Sequence, residues 1–416
     1  MMEGGSGVRP LAIVLGGTIP HIELIKKLQL RGYRVALVDY LDNPPAKQYA
    51  DEHIKESTLD LDSVLEVAKK NGAQLVISAA IDQANITCCY VAERLGLPHP
   101  YSYETALDVT HKDRMKRIMV SEGVPTAPFV SADSLDSIEA AGIDYPCVVK
   151  PTNSNGSRGV RVASCHSELL RFVEQAREAS RTNDAIVESY VRGKEISSYY
   201  YVQEGVAFPL ATCEKSNYTS KDSGEVCQYE SVDYPACISE AAQCNLNDAA
   251  QKIVNAFHLS NTPLFIQAII SLDDSVSVLE FAPRLGGGLC FRSIPLLVGF
   301  DYVGAAIASF LGDTVEIPDI ANRDVRYLSI GNLFAKEGIF DHVEWLNDAA
   351  EKMPDEIFYL KAPGAAVSGD GSSGSRYCQY ICTGTSREEA HEKCRLVRNS
   401  VSAIDVSGKA MDIGGV

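Results

Sequence analysis

Lys150 and Arg158 stand at the two ends of a run of small polar residues, Asn153, Ser154, Asn155, Gly156 and Ser157, with Gly159 just beyond. Such a loop has little side-chain bulk, so its backbone N–H groups and hydroxyls can close directly on an anion such as a phosphate, with the two cations supplying charge. It is not a Walker A loop, because the lysine precedes the glycines and no G-x-x-x-x-G-K-[ST] run occurs. Taken alone, the stretch is equally a hairpin turn with two exposed cations. Other chemistry-bearing residues follow the same order along the chain: Lys112 in the run Thr110–Arg117; Glu188, Val191 and Glu195; then Glu280 and Arg284 before Gly286, Gly287 and Gly288. Singly, each is as well explained as a surface charge, and the Thr110–Arg117 run reads as a solvated helix face capped by Thr110. Asp39 could hold a ribose or cap a turn. His99, His111 and His258 have no partner spacing.

The elements that must position these residues are legible in outline. Leu11–Leu15, Val35–Asp39 and Leu75–Ser78 read as strands buried on both faces of a parallel sheet, and helical spacing intervenes. The expectation is an N-terminal doubly wound α/β domain over 11–109, after a leader at 1–10 read as disordered. A small substrate could sit at its strand ends near Gly16, Gly17 and Asp82. The alternation around Thr126–Val130, Cys147–Lys150, Val160–Val162, Ala185–Glu188 and Ile196–Val202 predicts a second, mostly antiparallel domain. Within it a helix near Glu240–Phe257 precedes a hairpin of Leu264–Ser271 and Val276–Phe281. Further helices are expected at Phe300–Leu311 and Glu388–Asn399, and Ser368–Ser375 reads as a flexible loop.

Composition bounds the function. A chain of 416 residues with net charge −17 has room for about two to three domains. Its charge opposes approach to nucleic acid or an anionic membrane, so an anionic ligand must be met by a local basic site. No apolar run reaches the ~18 residues of a membrane span. The twelve cysteines are scattered, without C-x-x-C or zinc spacing, and read as reduced thiols of a cytoplasmic protein.

In order and spacing, Lys112, Lys150 with its Gly/Ser loop, the Glu188–Glu195 stretch and Glu280 with Arg284 resemble the ATP-grasp superfamily. Within it they look like the carboxylate-amine ligases related to L-amino-acid ligases and to carbamoyl phosphate synthetase-like enzymes. The resemblance covers Leu11 to Gly312 and is looser from Val325 onward. It implies an ATP-grasp core over 110–320, with a nucleotide lid at about 125–195, preceded by a pre-ATP-grasp domain. A C-terminal mixed α/β region, 321–416, would complete the substrate site.

By the same resemblance, Lys112 and Lys150 would hold the ATP phosphates beneath a loop contributing Ser154, Gly156, Ser157 and Gly159. Glu188 and the Val191 backbone would read adenine, and Glu195 the ribose. Glu280 would bind Mg2+, with Mn2+ as a substitute. Arg284 would stabilise the reacting oxyanion, Gly286, Gly287 and Gly288 would approach the substrate carboxylate, and Arg376 would clamp a carboxylate or phosphate. Two departures stand out: the family's second acidic metal ligand falls on Gln267, a neutral residue, and its usual Asn on Ala282. Another carboxylate, such as Glu214, could substitute. The expected activity is an ATP-dependent carboxylate-amine ligase forming an amide or peptide bond through an acyl phosphate, acting on small-molecule acids and amines, with a homodimer as the assembly suggested by analogy. The alternatives are a carboxylase or carbamoyl phosphate synthetase-like enzyme, and a nucleotide-binding regulatory or scaffold protein with a decayed metal site.

Overall fold

The computed structural model describes residues 9–78, 80–132, 138, 142–153, 159–217, 229–320, 326–369 and 374–412. Strands β1 (Leu11–Leu15), β2 (Arg34–Val38), β3 (Glu52–Ile54) and β4 (Leu75–Ile77) form a parallel sheet in the order β3-β2-β1-β4. All five residues of β1 and the four apolar residues of β2 are buried, because helices cover both faces. Those helices are α1 (Ile19–Leu30), α2 (Leu61–Asn71) and α3 (Asp82–Leu95). The doubly wound unit is therefore as expected, with one addition: β3 escapes notice in the sequence because Glu-His-Ile carries no apolar run. Asp39 accepts from Gly17 N at 2.8 Å and Leu41 N at 2.9 Å, so its carboxylate holds the turn.

The cationic run does not begin a helix at Thr110. Thr110 ends α4 (Tyr103–Thr110), whose N-terminus is capped by Ser102, and α5 (Lys112–Ser121) starts after His111, which is extended with φ −90° and ψ 110°. The break matters, because the Lys112 amide then donates to Thr152 O at 3.0 Å and ties α5 to the strand that carries Lys150.

That strand is β6 (Cys147–Pro151). With β5 (Phe129–Ser131), β7 (Arg161–Ala163) and β8 (Ala185–Ser189) it forms an antiparallel sheet in the order β5-β8-β6-β7. Helix α6 (His166–Ala179) covers one face, where Cys147, Val149 and Val187 pack with Leu169, Phe172 and Val173. Burying such side chains contributes about 1.5–3 kcal/mol each and fixes which way β6 faces: Lys150, on the alternate parity, points away from this core.

The central sheet has eight antiparallel strands in the order β13-β12-β9-β10-β11-β14-β18-β16. Its first members are β9 (Lys194–Gln203), β10 (Val206–Asn217) and β11 (Tyr229–Tyr234), then, after α7 (Glu240–Ala256), β12 (Thr262–Ile270) and β13 (Val276–Ala282). Tyr199, Tyr200 and Tyr201 are buried core, so the three-tyrosine run is packing. Helices α8 (Cys290–Val298) and α9 (Tyr302–Leu311) pack under the sheet in the same core cluster as the parallel unit. Beyond them come β14 (Tyr327–Phe334), β15 (Gly338–Trp345), α10 (Asp348–Glu351), β16 (Glu356–Tyr359), β17 (Ala366–Val367), β18 (Arg376–Gly384), α11 (Arg387–Arg398) and β19 (Val401–Asp405). β14, β18 and β16 continue the central sheet, whereas β15 pairs with β17 and β19 in a small sheet of three. Among the described residues no single helix is long and apolar enough to cross a membrane.

Candidate active site

Side chains along a strand alternate faces, so the pairings of Gln267 with Glu280 and of Gln267 and Cys213 with Ser197 put these residues on one face of the central sheet. Glu195 and Lys215, two residues from Ser197 and Cys213, share that face. On the same face farther along, Asn332 pairs with Gln379. Glu214 has the opposite parity. It meets Lys194 at 3.4 Å and Arg387 at 3.1 Å beneath α11, which corrects the expectation that it could join the metal site.

Two ion-paired groups lie within electrostatic reach of each other. Lys150 Nζ, on β6, lies 2.9 Å from Glu188 Oε2, and Lys116 Nζ, on α5, lies 3.4 Å from Glu188 Oε1. Lys116 also donates to Thr126 Oγ1 at 2.6 Å. Burial by itself would raise the Glu188 pKa, but the two ammonium groups outweigh it and hold the carboxyl below its ordinary range. Burial pulls Lys116 down to about 8 against the opposing pull of Glu188. The carboxylate of Glu188 is 2% exposed and engaged by both lysines. On the sheet, Lys112 Nζ lies 3.2 Å from Glu280 Oε2. Desolvation again works upward, yet Lys112, Lys150 and Lys215 together bring Glu280 down to about 2. Glu280 is thus held as a carboxylate among cations.

The remaining expected residues fall as follows. Glu195 Oε1 accepts from Lys215 Nζ at 2.8 Å. Gln267, with its amide oriented as its neighbours require, accepts from Lys215 Nζ at 2.6 Å and donates to Glu280 Oε1 at 2.7 Å. Val191 lies in the connection between β8 and β9, and Gly159, at φ +77°, sits against Pro151 where the Gly/Ser loop rejoins β7. Ser154, Gly156 and Ser157 lie outside the described residues, as does Arg158.

Arg284 is held bidentately by Asp82, Nε to Oδ1 and Nη2 to Oδ2 both at 2.6 Å, while Nη1 donates to the Leu285 carbonyl. This pair joins the start of α3 to the glycine-rich segment after β13. A Cβ on Gly286 would meet Tyr199 Cε1 at 2.7 Å, and Gly288 has φ +69°, so the first glycine is needed for packing and the third for its backbone. A Cβ on Gly287 would meet open space. Arg376 donates to Asn332 Oδ1 at 3.1 Å beside Gln379 and the Gly288 turn, and its Nε is buried without a hydrogen-bond partner.

Sequence reading passed over Lys116, Lys215 and the engagement of Arg284 by Asp82. Lys116 was counted with the solvated face of its helix, although Met115 and Met119 beside it are apolar; it is fully buried. Lys215 carries no local signal, since its neighbours arrive from β9, β11 and β12.

The residues present fit a magnesium ion that arrives with a nucleotide. Glu280 supplies one hard anionic oxygen, and among the described residues no three His, Cys, Asp or Glu side chains form a protein cage.

Residues 143–293 match the ATP-grasp domain family. Over 286 residues the chain is 26% identical to a formate-dependent phosphoribosylglycinamide formyltransferase of Ignicoccus hospitalis, covering 66% of this chain and 69% of that one. In fold it is similar to the L-amino acid ligase from Bacillus licheniformis, with TM-score 0.80, 18% identity and coverage of 96% of this chain and 100% of that one. It is also similar to the biotin carboxylase domain of the 2-oxoglutarate carboxylase of Hydrogenobacter thermophilus, with TM-score 0.77, 15% identity and coverage of 98% and 92%.

Proposed function

We propose that this chain, whose residues 143–293 match the ATP-grasp domain family and whose fold is similar to that of an L-amino acid ligase, is an ATP-dependent carboxylate-amine ligase, ADP-forming and acting on small molecules. The observation that supports this best is the gathering of three lysines around linked acceptors, Lys112 on Glu280, Lys215 on the Gln267 amide that bonds the same carboxylate, and Lys150 on Glu188, a density of charge that a triphosphate can use and a solvated surface has no need of. A carboxylate oxygen of the acid attacks the γ-phosphorus in line as the bond to the β-phosphate oxygen breaks, giving ADP and an acyl phosphate. Magnesium, bound through Glu280, would neutralise phosphate charge. Lys112 and Lys150 hold the phosphates, and Lys150 is oriented for this by Glu188 and Lys116. An amine then adds to the acyl carbon, phosphate leaves and the amine proton passes to solvent, with Arg284 facing the tetrahedral oxyanion.

The names of the relatives support the same class: one acts with formate on a glycinamide, and another is an amino acid ligase. The H. thermophilus domain was solved as a dimer with MgADP, which supports nucleotide, metal and a homodimer here by analogy. A cytoplasmic location is supported by the free state of every cysteine among the described residues.

Release of ADP and phosphate in the presence of Mg2+ across a panel of acids and amines tests the reading, with Glu280→Gln and Arg284→Ala expected to abolish it. Nucleotide binding without release for any pair would favour a regulatory protein instead.

A further inference from the structure

We infer that Lys215 is a fixed cation of the site, standing where a second divalent ion would otherwise bind, so that the nucleotide is held with one metal ion. The inference rests on the ligase reading only in taking a nucleoside triphosphate as the ligand.

The side chain of Lys215 is 5% exposed, comes from near the C-terminal end of β10, and lies over the Tyr229 ring at 5.0 Å from its centroid. It is held by Glu195 Oε1 at 2.8 Å and by the Gln267 amide oxygen at 2.6 Å. The Glu195 carboxylate and the Gln267 amide oxygen hold the ammonium in place, out of solvent.

A second ion seated between β12 and β13 would need the Gln267 oxygen, which already accepts from Lys215. It would also face the Gln267 amide nitrogen, which donates to Glu280 Oε1, and lie next to a positive charge. The site accordingly offers one carboxylate that Lys215 does not hold, Glu280, whose oxygens meet Lys112 and Gln267. The neutral residue at 267 and the lysine at 215 are complementary: a glutamate at 267 would neutralise Lys215, whereas glutamine leaves its charge to act on the ligand. Lys215 is thus a positioning and charge-supplying residue with no proton to exchange, and its activity needs no ion beyond the one on Glu280.

The test is a count of bound Mn2+ by electron paramagnetic resonance, at saturating adenylyl imidodiphosphate, with nucleotide occupancy measured on the same samples. The native protein is expected to bind one Mn2+ per chain. Gln267→Glu, which keeps the lysine, is expected to bind one as well, because the new carboxylate pairs with Lys215. The double variant Lys215→Met/Gln267→Glu is expected to bind two. Two ions on the native protein or on Gln267→Glu, with nucleotide bound, would overturn the inference and leave the ligase reading standing. So would a double variant that binds nucleotide with one ion. A native chain that binds no nucleotide would overturn both.

Discussion

At the scale of single residues, the site is a set of charges that must satisfy one another before any ligand arrives. Glu188 is the clearest case, a buried carboxylate that neutralises two buried ammonium groups. Removing one partner of a buried ion pair leaves uncompensated charge, which typically costs about 3–5 kcal/mol. Glu188→Gln is therefore expected to lower unfolding stability at pH 7 by that amount in a urea titration, and a loss below about 1 kcal/mol would show that the three groups are not coupled. Lys150→Ala acts differently, because Glu188 keeps Lys116. Loss of a charge-assisted contact to phosphate, about 1.5–3 kcal/mol, should weaken ATP binding by roughly 10- to 100-fold in calorimetry while the fold is retained. An unchanged affinity would remove Lys150 from the phosphate site.

At the scale of elements, burial decides which polar groups carry charge. His21, in the first turn of α1, is fully buried, with Thr18 Oγ1 2.8 Å from Nδ1, and burial lowers its pKa to about 4 from 6.5. Between those values the unfolded chain binds more protons than the folded one, so stability rises with pH there. This contribution is complete above about pH 6.5 and is lost as pH falls through about 4. Going from pH 7.5 to pH 5, the native protein is expected to lose about 2 kcal/mol more stability than His21→Gln. Equal losses would mean that the ring is protonated in the folded state.

Elements also explain what could be read before the structure was known. β1 and β2 declare themselves because a parallel strand covered on both faces must be apolar throughout. Lys112, Lys150, Glu280 and Arg284 were legible because each sits beside a local mark: a basic run, a small-residue loop, a hairpin or three glycines. The contacts were not. Lys215 meets Glu195 and Gln267 only through the register of β9, β10 and β12, and Glu214 is sent to the wrong face for a metal by that same alternation. Thr110 was mistaken for a cap because Ser102 already starts a helix that ends there. Nothing in the stretch around Glu188 shows that Lys116 comes from α5 to cover it.

At the scale of the whole molecule, the Arg284–Asp82 pair joins the parallel-sheet unit to the face of the central sheet that carries Glu280. Asp82→Asn keeps the shape but weakens the grip on Arg284, so kcat should fall by about 10-fold or more with little change in ATP affinity, as expected when positioning rather than binding is lost. A parallel fall in both would show that Asp82 supports the nucleotide site itself. A ligation that runs through an acyl phosphate leaves one oxygen of the acid on the phosphate. With the acid that supports turnover labelled with 18O in its carboxylate, mass spectrometry of the phosphate released is expected to find one labelled oxygen in each; phosphate that carries oxygen only from ATP and water would rule the proposed reaction out.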